Sequence, residues 1–305
     1  MATLRPDLMA EPYKAPNFIT NTLFPQLQKM AKTGTQYYFD LVSDATAQTD
    51  RTLATAPTAY RLATASDTFS CAEKIHRAKV DKTDIAMMGG LDRAQSKGAR
   101  RGKRAVMKAI EDLGVAATFG NANIPDRDIL TSFLQALQIA KEVVLDNGDG
   151  RLALFGAQRI INRLKRYTEI TAKMVYTGLI PAGAAGDVRR ISDDILAGAI
   201  GVDVVLSGPS TEWLGTSSVY DGYLGLALLP DPAAEPDEEV QLGRNICMNV
   251  DGGGGIFECS SYYSDDLIAE VVDTMAWVDL TVFNPEVAYI LRGIDESNTV
   301  TTTAS

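Results

Sequence analysis

The chain has 305 residues, 46% apolar and 22% charged, which is the make-up of a globular protein with a sizeable core. Its formal charge of -10 repels nucleic acid on average, so contact with it would need a local basic patch. Three cysteines, Cys71, Cys247 and Cys259, without CxxC spacing, argue for a reducing compartment and against a disulfide framework or a zinc site.

The opening stretch "MATLRPDLMAEPYKAP" lacks the apolar run of a signal peptide, and no segment reaches the ~18–20 apolar residues of a membrane helix. The expectation is a cytosolic-type soluble protein of one large domain or two modest ones. Residues 1–34 hold Pro6, Pro12, Pro16 and Pro25 among short apolar clusters, which predicts an extended arm with a short helix around "NTLFPQLQKMA". Such an arm has little to bury against itself and needs another surface. Residues 35–80 read as a long two-stranded ribbon, "TQYYFDLVS" against "DTFSCAEKIHRAKV". The Ala- and Thr-rich stretch between them is too long for a tight turn and too poor in large side chains for a core.

A helix is predicted over 81–117, with Asp81 and Asp84 as caps and a stripe of Val106, Ile110, Leu113 and Ala117. Gly98 and Gly102 should loosen its middle, where Lys97, Arg100, Arg101, Lys103 and Arg104 cluster. From 127 to 206 helices and strands alternate: "DRDILTSFLQALQIAKEVV", "RLALF", "GAQRIINRLKRY", "DVRRISDDILAGAIG" and "VDVVLS". That order implies an α/β subdomain with a compact sheet. Residues 217–294 read mostly as strands, broken by the acidic surface loop "DPAAEPDEE". The tail "DESNTVTTTAS" is too poor in apolar groups to order itself, and no internal repeat is visible.

No catalytic constellation stands out along the chain. Gly252, Gly253, Gly254 and Gly255 lead into a strand with no Lys or Arg before Arg292, so they read as a hinge and not as a phosphate loop. "DNGDG" fails the calcium-loop spacing and fits an Asn-Gly turn. His76 is the lone histidine, no G-x-S-x-G elbow exists, and carboxylate neighbours such as Asp193-Asp194 read as surface or helix-start charges. The cluster at 97–104 is the one charge feature that opposes the acidic background. It suits a solvated helix face, salt bridges to an acidic neighbour, or phosphates.

Three stretches carry a resemblance. "FITNTLFPQLQKMAKTGTQYYFD" looks like an apolar-Pro segment leading to K-x-G-x-Y-x-x-(F/Y), "DDILAGAIGVDVVLSG" like the helix-strand LA-x-x-(F/I)-G-V-x-V-V-(V/L)-x-G, and "VAYILRGI" like a hydrophobic closing strand. Taken in order along the chain, they resemble the major capsid protein of tailed bacteriophages, whose fold encapsulins and the floor of herpesvirus shells share. The implied class is α+β. It would comprise an N-terminal arm (1–34), an extended β-hairpin loop (35–80), a peripheral domain with a long spine helix (81–126 and 256–294), an α/β axial domain (127–255) and a disordered tail (295–305).

The resemblance implies a structural shell protein, not an enzyme, with no cofactor, metal or catalytic residue. Its partners would be its own copies in hexamers and pentamers, a separate scaffolding protein, a portal protein and packaged double-stranded DNA, with no membrane. Its place would be the virion, assembled in the host cytoplasm. Lys97, Arg100, Arg101, Lys103 and Arg104 would face a neighbouring subunit or DNA, and Asp50, Arg51 and Arg61 would make contacts at the loop tip. No lysine lies between Lys32 and Lys74, which speaks against the Lys-Asn isopeptide crosslink of some members. An encapsulin-like shell protein is the alternative within the fold. An α/β enzyme with a mobile Gly252–Gly255 loop acting on an anionic substrate is the alternative outside it.

Overall fold

The computed structural model describes residues 3–10, 18–39, 64–129, 132–148, 150–181, 191–231, 239–249 and 256–294. Its strands are β1 (Thr3–Leu4), β2 (Gln26–Lys29), β3 (Thr33–Phe39), β4 (Thr64–Ser70), β5 (Ala72–Val80), β6 (Asp126–Asp128), β7 (Arg151–Ala157), β8 (Val204–Gly208), β9 (Leu224–Leu229), β10 (Gly243–Met248), β11 (Glu258–Ser264), β12 (Ala269–Val282) and β13 (Ala288–Arg292). Two sheets carry the fold, and β3 pairs with β4 as a separate two-stranded ribbon.

The first sheet is organised by β12, a 14-residue strand whose Val271, Val272, Ala276 and Val278 are buried. β-branched side chains suit a pleated, packed surface. Its length admits three antiparallel partners: β11 and β5 on opposite edges of its first part, and β10 along its end. β2 joins β10 in parallel, and β1 joins β11. Across this sheet lies the 28-residue helix Leu91–Thr118, about 42 Å long at 1.5 Å per residue.

The second sheet has the order β6-β13-β9-β7-β8. β7 and β8 are parallel, as are β13 and β6, while β9 runs antiparallel to both of its neighbours. Helices Phe133–Asp146, Gln158–Leu164, Thr168–Tyr176 and Asp193–Ile200 supply Leu137, Ile160, Ile170 and Leu196 to its core. The long helix reaches this core as well, through Val115 and the residue after its end, Phe119. The Phe119 ring lies 5.8 Å from Phe155 and edge-on to Trp213 at 5.4 Å, so the helix joins the two sheets physically.

Several expectations need correction. The arm does bury against its own chain where it is described. Leu8 packs with Ala94, Ala99 and Cys259, while Ile19, Leu23 and Phe24 enter the main core. The short apolar clusters find a slot between the long helix and the sheets, so no second copy is needed to cover them. The helix expected at "NTLFPQLQKMA" shrinks to Thr20–Leu23, because Pro25 forces extended chain and β2 follows.

The ribbon expected over 35–80 is also shorter. Only β4 pairs with β3, and after Cys71, whose N–H bonds the Lys32 carbonyl at 2.9 Å, the chain leaves as β5 to join β12. The helix predicted over 81–117 is two. Asp81 and Asp84 form a capping box on Lys82–Met88, then Gly89 (φ 73°) and Gly90 (φ 143°) break the rod before Leu91. Two strands exchange places relative to the division by chain order. β10, from the 127–255 stretch, sits in the first sheet, and β13, from the 256–294 stretch, sits in the second. Asp126–Asp128 is strand and not helix, and the helix that follows begins at Phe133 behind its Ser132 cap.

Candidate functional site

The long helix presents two chemically different faces. Ala94, Gly98, Ala99, Gly102, Val106 and Ile110 turn inward at spacings of three and four. Gly98 and Gly102 lie over the sheet: a Cβ on Gly98 would stand 3.3 Å from the Ala78 Cβ, and one on Gly102 would collide with Thr274. The glycines expected to loosen the helix instead let its backbone approach β5 and β12. The helix runs through both without interruption.

Outward stand Arg93, Lys97, Arg100, Arg101, Arg104 and Lys108, all exposed. Their spacing puts them along one side of the helix. At the end of this row Lys108 bonds the buried Glu212 at 2.9 Å, and that contact raises its ammonium pKa. Asp112, beside them, has its carboxyl pKa raised by burial and by the charge of Glu212.

Lys103 does not belong to that face. It is 2% exposed, and its Nζ donates to the Met9 carbonyl at 2.7 Å, within 5.9 Å of the Phe257 ring. It stands four residues from the buried Ala99, three from Val106 and four from Met107, on the inward side of the helix, where it holds the N-terminal segment. Of the five predicted basic residues, four share a surface and the fifth is part of the fold.

The more constrained polar residue on this helix is Glu111, 1% exposed and unmarked by any sequence motif. Its Oε1 accepts from the Ile19 N–H at 2.9 Å and from Trp213 Nε1 at 2.6 Å, and its Oε2 accepts from the Thr20 N–H at 3.1 Å. One carboxylate thus ties together the N-terminal segment, the long helix and the α/β part. Burial raises its pKa, opposed by the hydrogen bonds from Ile19 and Trp213. A glutamate among solvated helix acids gives no sequence signal of this role.

Asp50, Arg51 and Arg61 at the expected loop tip, and the expected hinge Gly252–Gly255, lie outside the described residues. His76 is half-buried on β5 opposite Thr274. The three cysteines are buried thiols, and burial pushes Cys247 up to about 12. A cleft of about 560 Å³ bordered by Thr22, Arg151, Leu229 and Glu239 has a carboxylate at its rim, but Glu239 there accepts the Asp231 N–H at 2.8 Å and closes a loop base. Sequence reasoning also missed the hairpin tip between β11 and β12. There Leu267 and Ile268 stand out of the surface, and Ile268, with φ 48°, holds a backbone shape unfavourable for a β-branched residue.

No protein-family model and no curated protein matches this chain by sequence. Solved structures do match its fold. A phage-related protein from Bordetella bronchiseptica RB50 superposes with TM-score 0.71 at 15% identity, over 98% of this chain and 100% of that one. The capsid of the cyanophage P-SCSP1u matches with TM-score 0.59 at 11% identity, over 92% of this chain and 89% of that one. The SrpI encapsulin complex from Synechococcus elongatus PCC 7942 gives TM-score 0.55 at 10% identity, over 97% and 94%. The chain has the mixed α+β fold shared by tailed-phage capsid and encapsulin shell subunits.

Proposed function

We propose that the chain is a major capsid protein, a subunit that assembles with its own copies into the hexamers and pentamers of an icosahedral phage head around double-stranded DNA. The observation that carries this reading is the two-way coverage of the capsid match, 92% of this chain against 89% of the cyanophage chain. The likeness runs along nearly the whole of both chains and takes in both sheets and the long helix. Two surface features support it. Leu267 and Ile268 offer apolar side chains where a neighbour would cover them, and the row from Lys97 to Arg104 offers positive charge to an acidic neighbour or to phosphates.

On this reading the protein works by shape and contact and needs no catalytic centre or cofactor. Its place is the virion capsid, built in the host cytoplasm. A separate scaffolding protein and a portal protein are its expected partners beside its own copies. Residues around Asp50, Arg51 and Arg61 would reach an adjacent subunit, and Gly252–Gly255 would act as a hinge between β10 and β11, two strands of the first sheet. Standard pairwise interfaces bury about 800 Å² per partner, and several neighbours per subunit multiply that area into a stable shell.

Sedimentation velocity over a range of protein concentration and salt tests the assembly directly. Species many times the 32.8 kDa chain are expected. A monomer or dimer under every condition would contradict the proposal. Protection of co-purified double-stranded DNA from nuclease separates a phage head from an encapsulin-like shell.

A further inference from the structure

Strand β5 is an outer strand of the first sheet. It pairs with β12 from Ala72 to Val80, and its other edge has no strand partner among the described residues. A 9-residue open edge is a row of unpaired backbone donors and acceptors, the template for another strand. The edge itself carries Lys74, Arg77 and Lys79, charges of the kind that discourage unselective pairing along an open strand.

Lysines on an edge can serve only to keep strangers away. Here a second row of cations looks onto the same place. A groove of about 260 Å³ runs between the edge and the long helix, lined by His76, Ala78, Asp84, Lys97, Gly98 and Arg101. The carboxylate of Asp84 is committed to the capping box with Asp81. Lys97 and Arg101 have no ion-pair partner among the described residues. They sit one turn apart, about 6 Å along the helix axis. Alternate residues of a strand are spaced about 6.6 Å apart. A strand laid on the β5 edge with a carboxylate at every second position would therefore bring successive acids to Lys97 and Arg101.

We propose that the open edge of β5 accepts an acidic, extended segment of a partner chain as an added strand, its alternate carboxylates held by Lys97 and Arg101. Main-chain pairing supplies the affinity, and the two helix cations select acidic over neutral segments and fix the register. The proposal stands on the subunit's own surface and does not depend on shell assembly.

The test uses the full-length protein as dispersed subunits and a labelled ten-residue peptide alternating Glu and Val, read by fluorescence anisotropy. Binding is expected, as is at least a tenfold loss with Lys97→Glu/Arg101→Glu. Both side chains are exposed, and an unchanged melting temperature confirms the fold; Lys97→Gln/Arg101→Gln serves if it does not. N-methylation of one alternate set of peptide nitrogens should abolish binding while the other set has little effect, because only one set faces the edge. Equal effects of the two sets, or unchanged affinity of the charge variants, would overturn the proposal. So would displacement of the peptide by a ten-nucleotide DNA strand at lower concentration than unlabelled peptide, which would make the surface one for nucleic acid. Shell formation by the same preparation is scored separately, so loss of one reading leaves the other standing.

Discussion

Glu111 shows how much a single buried side chain holds. Three donors converge on its carboxylate, two from the N-terminal segment and one from Trp213. Glu111→Ala strands all three in the interior, and at 1–3 kcal/mol for an unsatisfied buried group the loss should be about 3 kcal/mol or more in urea unfolding. Its pKa direction also fixes a sign. Burial raises the native pKa above the unfolded value, so the fold favours the neutral acid. The stability this group confers is complete below the ordinary carboxylate range and is lost as pH rises through the raised native value. Urea midpoints from pH 4 to 8 should contain this decline in the natural protein and lack it in Glu111→Gln. Parallel curves would refute the assignment. Two glycines make a sharper comparison. Gly102→Ala drives a methyl group into Thr274 and should cost about 1–3 kcal/mol, relieved by a second change, Thr274→Ala. Gly98→Ala meets Ala78 at 3.3 Å, and the helix propensity gained, about 1 kcal/mol, should leave stability near that of the natural chain. Calorimetric melting of the three variants checks both.

At the scale of elements, the long helix divides its cations by role. Lys103→Gln should lower the melting temperature because a buried ammonium holds the Met9 carbonyl, whereas Arg101→Gln/Arg104→Gln should leave melting unchanged and impair assembly or genome packaging. The reverse pattern would overturn the division. Removing residues 45–62 should leave a folded subunit that forms no shells, since that stretch has few core-type side chains. Normal shells without it would end the extended-loop reading. Elements with a strong period were legible in the sequence: the stripe Val106, Ile110, the helix ending at Gly201, and the Asp81 cap all stand where the pattern puts them. Partnership was not. Whether β5 continues a ribbon or joins a sheet, and whether β10 and β13 belong to one sheet or the other, depends on long-range pairing that alternation does not encode. Glu111 and Lys103 escaped for a related reason. A charged residue inside a helix reads as solvated until tertiary partners are known.

At the scale of the whole molecule, the order of parts carried more than any motif. Arm, ribbon, long helix, α/β part and returning strands together pointed to a shell subunit, and capsid and encapsulin chains superpose along nearly the full length. The arm supplied the instructive difference. Prolines and short apolar clusters suggested a segment without a home on its own chain. Ile19, Leu23 and Phe24 nevertheless fill the main core, with Glu111 accepting the N–H groups of Ile19 and Thr20 beside them. Short clusters need only a slot of matching size, and sequence does not reveal slots. The claim that copies of this chain build a closed shell is tested most directly by electron microscopy of the purified full-length protein. Hollow icosahedral particles, or the rings and curved sheets of their capsomers, are expected. Uniform fields of single subunits at high concentration, from protein shown to be folded, would contradict it.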